Sequence, residues 1–102
     1  MIAAYTRDLM DRSKIQAAVP DVRFVARPEA LVGLAGVDVL VVDLGQRGVL
    51  EVLAELTASG VRVVAYGSHV DTGMLDTARA AGCAEVLPRS KFFRDIAGLL
   101  AG

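Results

Sequence analysis

This sequence predicts a three-layer α/β fold, in which a five-stranded parallel sheet of order 2-1-3-4-5 carries five helices divided between its two faces. Three observations point to it. Five short runs of β-branched or aliphatic residues alternate with segments of helical spacing. Runs such as Val39-Leu40-Val41-Val42 are apolar without alternation, as strands covered on both faces are. The connections are only a few residues long, so successive βα units wind through right-handed crossovers.

The first strand is read as Met1 to Tyr5. The helix after it covers Asp8 to Val19, with Ile15, Ala18 and Val19 on one side and a stop at Pro20. A second strand, Val22 to Ala26, leads to a helix over Glu29 to Ala35, whose first turn suits Pro28. The third strand is Val37 to Val42. Its helix carries Val49, Leu50, Val52, Leu53 and Leu56 as one apolar stripe and ends before Gly60. The fourth strand, Val61 to Tyr66, precedes a helix with Met74, Leu75, Ala78 and Ala81 in its stripe, Asp71 and Thr72 as candidate N-caps, and Gly82 at its close. The fifth strand is Ala84 to Leu87. The last helix carries Phe92, Phe93, Ile96, Leu99 and Leu100 as its apolar stripe, with Ser90 as its candidate N-cap.

The 102 residues suffice for one domain, 1–102, with an ordinary core. Hydrophobic residues make up 54% of the chain, and mean hydropathy is +0.49. The apolar runs reach only about eight residues, however, against the ~20 that span a bilayer, so no membrane contact is expected. The first residues lack a basic segment, apolar stretch and cleavage site, so the cytoplasm is the expected location. Cys83, the single cysteine, reads as a small buried filler. Eleven basic residues, scattered along the chain, face twelve acidic ones, which argues against electrostatic binding of nucleic acid. One histidine and no Cys/His cluster exclude a structural zinc.

In open α/β sheets the site lies beyond the carboxyl ends of the strands, at the point where strand order reverses. That rule selects Thr6, Arg7 and Asp8; Asp43 with Leu44-Gly45; Tyr66-Gly67-Ser68-His69; and Leu87 to Ser90. Asp43 is the leading candidate. It follows the most hydrophobic strand, where a carboxylate must find water, a cation or backbone N–H groups. An Asp opening a loop through its own backbone is the plain alternative.

Val37-Asp38-Val39-Leu40-Val41-Val42-Asp43 resembles the third strand of a response-regulator receiver domain, a flavodoxin-like (βα)5 family in which the Asp ending that strand is phosphorylated. Val61 to Ser68 is similar to the family's fourth strand and switch turn. Ala80-Ala81-Gly82-Cys83-Ala84-Glu85-Val86-Leu87-Pro88-Arg89-Ser90 resembles its fifth strand and following Lys-Pro. The likeness covers essentially the whole chain, and it implies a phosphoacceptor position at Asp43.

The departures from the family are specific. Thr6-Arg7 stands where the resemblance calls for the acidic pair that holds Mg²⁺, an ion that demands oxygen ligands and carboxylates. If Mg²⁺ is bound at all, Asp8 and Asp43 are its protein ligands; otherwise Asp8 is a helix N-terminal residue. Gly67 aligns with the switch Ser/Thr, and Ser68 lies one place on. Arg89 aligns with the family lysine and offers a planar fork in place of a compact ammonium. Together these changes predict that Arg7 and Arg89 hold Asp43 in an internal ion pair. The chain then reads as a stand-alone, non-enzymatic, metal-independent pseudo-receiver that signals by binding a protein. A working phosphoacceptor in a two-component relay is the alternative. A small anion-binding domain, in which Arg7, Arg47 and Arg89 hold the ligand, is the third.

Cobalamin and flavin sites are not supported, because Gly45 replaces the ligating histidine and the first loop lacks a hydroxyl-rich phosphate cradle. His69 reads as a solvated loop residue. Tyr66, Phe92 and Phe93 are candidates for a partner surface, with core-edge packing the alternative for Tyr66; Phe92 and Phe93 are adjacent, so a helix cannot bury both equally, and one lies in the core while the other contributes an exposed contact. The resemblance places such a contact on the face of the fourth and fifth helices, where a protein partner or a second copy in a homodimer would sit.

Overall fold

The computed structural model describes residues 1–101. Five strands, β1 (Ile2–Tyr5), β2 (Arg23–Phe24), β3 (Val39–Asp43), β4 (Arg62–Gly67) and β5 (Glu85–Pro88), form one parallel sheet in the order β2-β1-β3-β4-β5. Five α-helices accompany them: α1 (Leu9–Ala18), α2 (Val49–Ala58), α3 (Thr72–Ala80), α4 (Arg89–Phe92) and α5 (Ile96–Ala101). The predicted topology and fold class are those observed. Among the described residues no helix is long and apolar enough to cross a membrane.

Alternation along the strands builds two cores. Leu40, Val42, Val63 and Ala65 point to the face covered by α2 and α3, where Leu53, Leu56 and Leu75 close over them. Val39, Val41, Val64 and Tyr66 point to the other face, against Ile15 of α1, Phe92 of α4, and Ile96 and Leu100 of α5. All five residues of β3 are buried because it is the central strand, so its unbroken apolar run is what the position demands.

Three elements differ from expectation. The helix predicted over Glu29 to Ala35 is a single 3-10 turn, Pro28–Leu31. Its continuation is broken at Gly33 and Gly36, both in left-handed backbone at φ 72° and 74°. Leu31 from this turn still fills the α2/α3 core. The last helix is split into α4 and α5. Asp95 makes the break, since its Oδ1 accepts from Gly98 N at 3.1 Å and so satisfies an amide of the new first turn. Pro88, rather than Ser90, occupies the cap of α4, and Ser90 lies inside it. The edge strand β2 pairs over only two residues of the predicted Val22 to Ala26.

The α1/α4/α5 core turns on one aromatic group. Tyr66 and Phe92 stack with centroids 4.5 Å apart, and Phe93 meets both edge-on. Phe92→Ala should therefore cost about 3–5 kcal/mol in urea unfolding, whereas Leu9→Ala, at a site 75% exposed, should change stability by less than about 0.5 kcal/mol.

Candidate functional site

Register assembles the site. Asp43 pairs with Tyr66, and Tyr5 with Val42, so Thr6, Asp43 and Tyr66 come side by side at the carboxyl edge of the three central strands. All three are buried, and the strand alternation turns Asp43 and Tyr66 toward the α1/α4 face.

Asp43 is 5% exposed, and both of its carboxylate oxygens accept hydrogen bonds. The Thr6 hydroxyl donates to Oδ2 at 3.1 Å, Gln46 Nε2 donates to the same oxygen at 3.1 Å, and Gly45 N–H donates to Oδ1 at 3.0 Å. Charge-assisted bonds of this kind satisfy a carboxylate without a cation. The expected ion pair to Arg7 or Arg89 is not formed. Arg7 is exposed and has no ion-pair partner among the described residues.

Arg89 goes to Asp11 instead. Its Nη1 and Nη2 donate to Oδ2 and Oδ1 of Asp11 at 2.7 and 2.5 Å, a bidentate fork, and the Tyr66 hydroxyl donates to Oδ2 at 3.0 Å. The reason is physical. Asp11 is 1% exposed on the buried side of α1 and has a greater need of a countercharge than Asp43, which already has three donors. Asp11 is the functional residue that sequence reading missed. A signal for it existed, because carrying the buried stripe of Ile15 and Ala18 back one turn lands on Asp11.

The remaining candidates fall around this pair. Asp8 is the N-cap of α1, its Oδ1 accepting from Asp11 N at 3.0 Å, and its own N–H donates to the Thr6 hydroxyl oxygen at 3.2 Å. Gly67 ends β4 where a side chain would be crowded: a Cβ there would lie 3.0 Å from Met74 Cε and 3.4 Å from Leu44 Cβ. The Ser68 hydroxyl oxygen accepts from Val70 N at 3.4 Å and is not among the donors to Asp43. Of the three arginines expected to hold an anion, Arg89 is committed to Asp11, while Arg7 and Arg47 stand exposed. Tyr66 and Phe92 are wholly buried in the aromatic group and offer no partner surface, so core packing is the outcome for Tyr66; of the adjacent phenylalanines Phe92 takes the core and Phe93 is half-buried. Cys83 is half-buried against the α2/α3 core, and burial pushes its thiol up from the usual range.

The donor set bears on magnesium. A receiver-type site needs several carboxylates converging on one point. Here Thr6-Arg7 occupies the acidic-pair position, Asp8 is spent on the helix cap, and Asp11 on Arg89. Among the described residues no three His, Cys, Asp or Glu side chains cluster as a ligand set. These residues do not fit the ion.

Burial, with the neighbouring Asp43 and Asp11 carboxylates adding to it, pushes the Tyr66 phenol well above its ordinary range despite the Thr6 hydroxyl beside it. The hydrogen bonds that Arg89 donates to Asp11 hold it more firmly protonated than a free guanidinium. Two outcomes follow. Past about pH 10 the unfolded chain sheds a phenol proton that the folded chain keeps, so stability falls with rising pH; thermal melts of Tyr66→Phe should show a shallower alkaline decline. Arg89→Met strands Asp11 and should cost about 2–3 kcal/mol in urea unfolding, below the ~3–5 typical of a fully buried pair because the guanidinium is 41% exposed. Asp11→Leu combined with Arg89→Met should recover more than half of that loss.

No family model and no curated protein matches the chain. Solved structures do. A phosphorylated cyanobacterial phytochrome response regulator superposes with TM-score 0.81 at 17% identity, covering 96% of this chain and 89% of its own. A response regulator from Thermotoga maritima gives 0.77 at 13% identity, with 98% and 92% covered. A CheY-like protein, tadZ, from Pseudomonas aeruginosa gives 0.76 at 20% identity, with 98% and 95% covered. With its strand order of 2-1-3-4-5 and an aspartate closing the third strand, this chain has the fold of a response-regulator receiver domain.

Proposed function

We propose that the chain is a receiver-fold signalling module that acts by binding a protein partner and does not use Mg²⁺-dependent phosphorylation of Asp43. One observation carries this reading: both Asp43 oxygens already accept hydrogen bonds within the chain, and the other carboxylates near it are committed elsewhere.

Phosphoryl transfer to a carboxylate needs an oxygen free to attack and positive charge over the transferred oxygens. Here Oδ2 accepts from two donors and Oδ1 from one, and all three donors belong to residues in or beside the strand ends. The family's two helpers are absent in kind. Gly67 has no hydroxyl, and Arg89 spends its fork on Asp11. The pocket is thus organised around a settled carboxylate, which favours a fixed surface over a switched one.

Incubation of the purified chain with acetyl phosphate and Mg²⁺, followed by intact mass measurement, tests the reading. No phosphoryl adduct is expected. A stoichiometric adduct that disappears in Asp43→Asn would overturn the reading and install the phosphorelay in its place.

A further inference from the structure

A cavity of about 620 Å³ opens at the amino edge of the sheet, where β1, β3 and β4 begin, at the end of the molecule opposite Asp43. That volume is within the range of small-molecule sites. The strands supply Ile2 and Val39 to its lining, the end of α1 supplies Val19, and the end of α5 supplies Leu100. Val39 and Leu100 are 6% and 4% exposed, and both belong to the core between the sheet and α1, α4 and α5. The floor of the cavity is thus the rim of that core, an apolar surface where two strand starts meet two helix ends.

The charged groups of the lining are Asp21, Asp38, Arg62 and the terminal residue Met1. Both cations are already engaged. The Met1 ammonium donates to Asp38 Oδ2 at 2.5 Å. Arg62 Nη1 donates to the Leu99 carbonyl at 2.9 Å, and its Nη2 lies 4.0 Å from Glu85 Oε1. Asp21, by contrast, has no ion-pair partner among the described residues. Neither α1 nor α5 carries a basic residue in its last turn. The negative end of the ten-residue α1 therefore reaches the cavity uncompensated, and such an end favours a cation. An anion entering here would meet two engaged cations and a carboxylate without a countercharge.

We propose that this cavity binds a small amphipathic cation, an amine or amidine carried on an aliphatic or aromatic body. The body would lie over Ile2, Val39 and Leu100, and the cationic group would meet Asp21 and the last carbonyls of α1. The site is at the edge of the sheet away from Asp43, so it does not depend on how that carboxylate behaves. A ligand seated there touches the ends of both α1 and α5, and it stabilises the folded chain by mass action.

The test is an NMR titration of the isotope-labelled full chain with phenethylamine, benzamidine and hexylamine, and with phenylethanol and phenylpropionate as neutral and anionic counterparts. Saturable amide shifts at Ile2, Val19, Val39 and Leu100 are expected from at least one of the cations, with the amides of Thr6, Gly45 and Gln46 unmoved. That cation should bind about fivefold or more tightly than either counterpart, and added salt should weaken it. Asp21→Asn should lower its affinity about threefold. Because Asp21 is exposed and has no ion-pair partner among the described residues, the same variant should melt within a few degrees of the parent. The proposal is overturned if no cation shifts these amides, if the shifts map elsewhere, if a counterpart binds as tightly, or if Asp21→Asn binds as the parent does. Tighter binding of a lysine-centred tripeptide than of any of the three cations would assign the cavity to a partner's side chain and overturn the proposal as well.

Discussion

A carboxylate that is 1% exposed must be met by charge, and in this chain the demand of Asp11 organises the whole carboxyl edge. Arg89 crosses from the end of β5 to answer it, Tyr66 adds its hydroxyl from β4, and the aromatic group of Tyr66, Phe92 and Phe93 packs around the pair. Because Arg89 is taken, Asp43 has to be satisfied locally, by Thr6, Gly45 and Gln46. The tether also holds the first turn of α4 against α1.

Much of the fold was legible because its signals are local. Each strand is a short apolar run, and β3 carries the unalternating pattern of a strand covered on both faces. The failures were local signals overridden by neighbours. Pro28 opens a turn that reads as a helix by composition, yet the left-handed backbone at Gly33 and Gly36 stops it after four residues. The apolar spacing of Phe92 to Leu100 fits one helix, but Asp95 supplies a cap in mid-stripe and divides it.

The site was legible in place and less so in chemistry. The rule that ligand sites lie beyond the strand ends selected Thr6, Asp43 and Arg89, and all three stand at the carboxyl edge. Which charge pairs with which could not be read there, because the deciding residue, Asp11, sits one turn inside a helix and looks like an ordinary surface acid. Its burial is visible only when the stripe of α1 is extended back from Ile15. The exposure of Leu9 and Met10 is the same fact seen from outside, since that turn faces its acid inward and its apolar residues outward. The choice between surface and core for Tyr66 was open for a related reason. An amphipathic ring at a strand end can face water or a buried polar group, and here Asp11 supplied the buried group.

The central claim is that internal hydrogen bonds and one displaced ion pair occupy the place that a metal and a phosphoryl group would need. Mg²⁺ titration followed by the amide resonances of Thr6, Gly45 and Gln46 tests this most directly. The account predicts no saturable shift at these three amides. Saturable shifts there, abolished by Asp43→Asn, would contradict it, because they would mean that the carboxylate releases its internal donors to take a cation.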